Sequence, residues 1–222
     1  MKKIFKWTAI IIVALLVVLL VTPLLFKGKI IGLIKQQANN TLNADIDFKD
    51  VDLSLIRHFP LLSVNLEGLS IANHAPFEGD TLIKSNSIRI NLDLMNVISG
   101  NEINIRSVEV DGAVMNFQVT KDGKANWDIT KPSTAGGAAQ PSSFKASLKH
   151  YAILNSRLIY NDQSLGFYLS MDQLNHEGKG DFTQDLFVLS THTTSDKANM
   201  SYDKIPYLSG VKTVIDADLE MD

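Results

Sequence analysis

The chain of 222 residues contains five histidines and no cysteine. His58, His74, His150, His176 and His192 never fall within five residues of one another. No His-Glu-x-x-His occurs, so the spacing builds no helical zinc site. Without a thiol there is no zinc ribbon, iron–sulfur centre, disulfide framework or cysteine nucleophile. Asp45, Asp47, Asp50 and Asp52 form an acidic cluster. It lacks the central glycine and closing glutamate of a calcium loop and reads as the solvated face of a strand. No serine has a Gly-x-Ser-x-Gly context, and no glycine-rich loop leads into a helix. Asn126-Trp127-Asp128 reads as a strand end whose Trp caps the core. No catalytic, metal or cofactor site is expected, and the protein is expected not to be an enzyme.

The spacing that does stand out is apolar. Ile88, Ile90, Leu92 and Leu94 alternate strictly with polar residues, which predicts a strand with one apolar face. Other segments carry a phase slip, apolar-x-apolar-x-x-apolar-x-apolar. It occurs at Ile46, Phe48, Val51, Leu53, at Val64, Leu66, Leu69, Ile71 and at Ile103, Ile105, Val108, Val110. A fourth copy, Ala146, Leu148, Tyr151, Ile153, has an apolar exception at Ala152. One extra residue turns a strand over unless it bulges, and repeated bulges bend a sheet. Bulges are preferred here to tight turns, since Arg106-Ser107 and Lys149-His150 are poor turn pairs.

Shifting Ile105, Val108, Val110, Gly112, Met115 and Phe117 by 43 positions reaches Leu148, Tyr151, Ile153, Asn155, Leu158 and Tyr160. Gly112 and Asn155 both tolerate positive φ, with Asn73 in the matching place after Ile71. The repeat is read as a hairpin, strand, turn, strand. Lys121-Asp-Gly-Lys124 is a further hairpin turn. Asp93 to Gly100 is expected to hold one or two helical turns.

Elements ahead of the strands have another character. Trp7 to Phe26 runs without a charge behind Lys2, Lys3 and Lys6. Twenty residues at ~1.5 Å each match the ~30 Å hydrocarbon core of a bilayer, with Trp7 and Phe26 as interfacial aromatics. The run is longer than a signal-peptide core and has no Ala-x-Ala site, which favours an uncleaved anchor. The positive-inside rule places the short head in the cytoplasm and the rest outside. A connector helix over 28–42 follows, with Ile30, Leu33, Ile34 and Ala38 near one face. A first β lobe spans 43–130 and a second 144–222. The Gly/Ala/Pro/Ser-rich stretch 131–143 is a flexible linker between them, or a loop of one shared sheet. Thr213 to Met221 alternates up to the last residues, so the chain is expected to continue beyond Asp222.

Mean hydropathy is +0.05 and net charge −3. Six of the 21 basic residues and none of the 24 acidic ones lie in the first 35, leaving 15 basic against 24 acidic. That balance excludes a nucleic-acid partner.

The order of these features resembles the AsmA family of bacterial envelope proteins. Basic head, anchor and short helix precede Phe48-Lys-Asp-Val51-Asp-Leu53 through Phe59-Pro60. Leu66-Glu-Gly-Leu69-Ser-Ile71, Ile103 to Gly112 and Asp122-Gly-Lys-Ala-Asn-Trp-Asp128 follow in order. The resemblance covers about 1–130 well and 144–222 more loosely. It implies an inner-membrane anchor, a periplasmic β-rich body and a curved antiparallel sheet with a chorein-like apolar groove. It further implies a part in phospholipid movement towards the outer membrane and in outer-membrane homeostasis, with envelope proteins as partners. Val64, Leu66, Ile88, Ile90, Leu92, Leu94, Ile103 and Ile105 are the candidate groove lining for phospholipid acyl chains. The alternatives are a closed core between sheet and helix, and an anchored scaffold that carries no lipid.

Overall fold

The computed structural model describes residues 7, 25, 27, 28, 31, 32, 36, 40–55, 60–99, 103–131 and 144–221. The side chains of 97, 98, 103 and 144–147 are not among what it describes. Most of the expected anchor, Phe26 included, and residues 132–143 lie outside the described set. Trp7 is described as helical and exposed. No helix among the described residues is long and apolar enough to cross a membrane.

Among the described residues, twelve strands form one open, curved sheet. They are β1 (Ala44–Asp47), β2 (Asp50–Ser54), β3 (Leu61–Glu67), β4 (Ser70–Asn73), β5 (Thr81–Lys84) and β6 (Ser87–Asp93). After the helix α1 (Leu94–Ser99) come β7 (Ile103–Asp111), β8 (Val114–Val119) and β9 (Phe144–Asp162). Then follow β10 (Phe167–Lys179), β11 (Phe187–Tyr202) and β12 (Ile205–Met221). Asp93 Oδ1 accepts the Met95 N–H at 3.1 Å and so starts α1. Strand β6 therefore stops one residue short of Leu94, which the alternation had placed in the strand.

The first eight strands are not separate. Register runs unbroken from Ala44↔Asn73 and Asp47↔Ser70 to Asp50↔Glu67 and Ser54↔Ser63. Thus β1 continues into β2 as one bent ribbon, and β3 into β4 as its antiparallel neighbour. In the same way β5 and β6 form one ribbon, and β7 and β8 another. Four such pairs and four single strands make eight ribbons lying side by side in chain order.

The breaks line up into a single crease. Main-chain hydrogen bonds cross it without interruption, as in Gly68 N to Asn86 O (2.8 Å), Asn86 N to Asp111 O (3.1 Å) and Gly112 N to Leu154 O (3.0 Å). Positive φ marks it at Gly68, Gly112, Asn155, Gln173 and Gly210. Gly112 has φ 60, and a Cβ there would lie 2.0 Å from Asn86 Nδ2, so only glycine fits. The phase slips at Phe48/Val51 and Leu66/Leu69 fall on this line. Those at Ile105/Val108 and Leu148/Tyr151 fall on a second irregularity, where β7 and β9 change register. Bulging keeps the apolar residues on one face: Val110 and Ile153, before the crease, share a cluster with Met115 and Leu158, after it.

The 43-residue repeat is not a hairpin. Ser107↔His150 and Val119↔Asp162 show the two copies pairing directly, in parallel, so Gly112 and Asn155 are kinks in through-strands and not turns. The sheet is consequently mixed and not wholly antiparallel. Parallel neighbours need a long crossover, and its described part is 120–131. Thr120 N to Lys124 O (2.9 Å) closes the expected turn at 121–124. The chain then passes to the far edge, where Leu42 bridges Thr130 and Asn43 N donates to Ile129 O at 2.6 Å.

Candidate functional site: the apolar face

Cross-strand partners share a face of a sheet, so the registers map what each face presents. On one face, Asp52, Asn65, Arg89, Glu109, Ala152, Glu177, His192 and Asp216 follow one another across the ribbons. Arg89 pairs with Glu109, and His192 Nδ1 lies 2.5 Å from Asp216 Oδ1. The Glu177 carboxyl is held below its ordinary range by a hydrogen bond from His150 and by the nearby Lys179 charge. A Ser63–Asn91–Ser107 ladder, buried at Ser63 and Asn91 and half-buried at Ser107, lies on the same side, with Asn91 Nδ2 donating to Ser107 Oγ at 2.8 Å. The four aspartates all project to this polar side because the crease lies between Asp47 and Asp50. Lys27 answers Asp50 at 2.9 Å and His74 answers Asp45 at 3.0 Å. No group of three metal-ligating side chains forms among the described residues.

The opposite face is apolar. Beyond the crease, Ile46, Ile71, Ile83, Met115, Leu158, Met171, Ala198 and Val211 pair in succession across all eight ribbons. Seven gaps of ~4.8 Å make this row ~34 Å long. Met115, Met171 and Ala198 are buried, while Ile46, Ile71, Ile83 and Leu158 are half-buried and Val211, at one end, is exposed.

The candidate groove residues with described side chains lie before the crease, on the same face of the sheet except for Leu94, which begins α1. Val64, Leu66 and Leu92 are buried with Val51, Leu55 and Leu62, and Ile90, Leu94 and Ile105 pack on that cluster. Ile88 is half-buried and pairs with Leu66 and Val110. Ile103 begins β7 opposite Phe144, and its side chain is outside the described set. Ile31, from the connector, also packs on this cluster, and Lys27 reaches Asp50 on β2. The expected connector thus touches the sheet through its described residues and covers part of the cluster. Sequence reasoning missed Met171, Ala198 and Val211 altogether and did not weigh Ile83 as a site residue. It quoted Ile71, Met115 and Leu158 only as repeat positions. Their alternation was visible, but only register shows that they adjoin.

Trp127 lies across the end of this face. Its ring is 5.8 Å from Phe117, edge-on, and 5.9 Å from Tyr160. Asn126 anchors it. Asn126 is 1% exposed, and its side chain accepts the Gln118 N–H at 2.9 Å and donates to Asn116 O at 2.7 Å. The Trp, 41% exposed, therefore lies over the end of the apolar face from a turn of the crossover, and not from the strand end that the sequence reading expected.

An elongated curved sheet, apolar on one face and charged on the other, behind a basic head and an apolar run, agrees with the comparison to known families. The profile described as the AsmA family matches residues 1–177. The chain belongs to the AsmA family. Membership points to a role associated with the cell envelope. No curated protein matches the chain.

Proposed function

We propose that this AsmA-family protein is a single-pass inner-membrane protein with its N-terminus in the cytoplasm and its sheet in the periplasm. There the apolar face carries phospholipid acyl chains towards the outer membrane and so serves outer-membrane homeostasis. The role is carriage and not catalysis. The observation that supports this reading is the apolar row from Ile46 to Val211, unbroken across the sheet. Its ~34 Å exceeds the ~15 Å that the acyl chains of one leaflet occupy within a ~30 Å hydrocarbon core. Each CH₂ laid on such a surface contributes ~0.8 kcal/mol, so a tail is held without polar contacts. The Lys27–Asp50 pair supports delivery from the membrane, because it sets the first ribbon beside the residues that follow the apolar run.

A second reading, an envelope scaffold that binds protein partners, draws on a different observation. Among the described residues strand β12 pairs only with β11, and Val214, Ile215 and Leu219 on that edge strand are 61%, 51% and 47% exposed. Photo-crosslinking separates the two. A diazirine side chain at Ile83 or Ile90 in cells is expected to give phospholipid adducts. Protein adducts alone, or none, at both positions reject carriage and leave the scaffold.

A further inference from the structure

Among the described residues, the apolar face carries a polar inset where β9, β10 and β11 adjoin. Before the crease, the row Val51, Leu66, Ile88, Val110, Ile153 continues into His176 and Thr193 and then into Ile215. In the adjacent row Tyr151 follows Val108. The Tyr151 hydroxyl lies 3.0 Å from His176 Nε2, and His176 Nδ1 lies 2.8 Å from Thr193 Oγ1. The Tyr151 ring reaches across Gly178, where a Cβ would meet it at 2.4 Å. All three side chains are half-buried, so the inset is reachable from outside.

A polar group set among apolar neighbours costs stability unless its hydrogen bonds are made. With a neutral ring the three groups hold three polar hydrogens: two hydroxyl and one ring N–H. Two hydrogen bonds join them. One hydroxyl hydrogen is therefore left over in either tautomer. When Tyr151 donates to Nε2, Nδ1–H donates to Thr193, whose own hydrogen is free. When Thr193 donates to Nδ1, Nε2–H donates to Tyr151, and the phenol hydrogen is free. Burial holds the imidazole below the ordinary histidine range, which keeps the ring in the neutral form this count assumes.

We propose that the spare hydroxyl hydrogen of the Tyr151–His176–Thr193 chain is donated to an ester carbonyl oxygen at the head of an acyl chain lying on the apolar face. The inset is then the point that fixes where along the face an acyl lipid stops. The ligand class is an acyl ester. A dialkyl ether of the same length and headgroup keeps the phosphate but lacks the carbonyl. This inference rests on the acyl-carrying reading above.

The test uses the full chain in detergent micelles and a fluorescent fatty-acyl probe. The probe is displaced by dipalmitoyl phosphatidylglycerol or by its dihexadecyl ether analogue. The ester is expected to bind about fivefold tighter, the factor one net hydrogen bond supplies. The preference is expected to vanish in a Tyr151→Phe/Thr193→Val double variant, which has no hydroxyl to offer. Equal affinity of the unaltered protein for ester and ether overturns the carbonyl site and leaves acyl carriage standing. Displacement by neither lipid overturns carriage, and the site with it. The ester–ether comparison on the unaltered protein decides the matter even if the double variant does not fold.

Discussion

Gly112 sits where the crease crosses the parallel joint, and replacing it with alanine measures what the crease demands. Its φ of 60 is left-handed, and the new Cβ would overlap Asn86 Nδ2 at 2.0 Å and Cγ at 2.7 Å. The left-handed backbone costs an L-residue about 1–2 kcal/mol. Displacing Asn86 adds an overpacking cost of about 1–3 kcal/mol. A total near 3 kcal/mol lowers the melting temperature of a chain this size by about 6–12 °C. Gly123 provides the control. Its φ is 80, but nothing lies within 4 Å of an added Cβ, so Gly123→Ala bears the backbone cost alone. Melting of both variants, followed by far-ultraviolet circular dichroism in one detergent, is expected to place Gly123→Ala about halfway between the unaltered protein and Gly112→Ala. If Gly112→Ala melts within a degree of the unaltered protein, or no lower than Gly123→Ala, the packed crease described here is wrong.

Asn126→Ala removes the partners of Gln118 N–H and Asn116 C=O, both half-buried. At about 1–3 kcal/mol for each group left unpaired, the loss is expected to exceed that of Gly123→Ala. In a Trp7→Phe background, Trp127 emission is expected to shift to the red as its platform loosens; an unchanged spectrum and melt would count against the anchoring role of Asn126. Because burial favours the neutral His176 ring, the unfolded chain takes up this proton first as pH falls. The stabilisation is present above pH ~6.5 and is lost as pH drops through the lower folded value. His176→Gln is expected to flatten that part of the stability profile between pH ~7.5 and ~5. Parallel profiles for the two proteins would show that this ring does not contribute.

Much of this architecture was legible in the residues themselves. Alternation at Ile88 to Leu92 marked a two-faced strand. The slips at Phe48/Val51 and Leu66/Leu69 marked the crease, because only a bulge keeps both flanks apolar on one side. The 43-residue correspondence was real, and the ordered motifs carried the family. What the sequence misled about was direction. A Gly or Asn between two apolar runs suits a hairpin and a kinked through-strand equally, and only the backbone tells them apart.

Sequence by itself determined that this chain makes strands, that each has an apolar face, and that an apolar run precedes them. Tertiary structure decided which strands are neighbours, and in which direction and register. A period of two says which side a residue points to, but it is silent on what stands beside it. For that reason Ile83, Leu158 and Met171 became one row only when the ribbons were paired. Tyr151, His176 and Thr193, on three different strands, have no shared motif; the registers of β9, β10 and β11 bring them together.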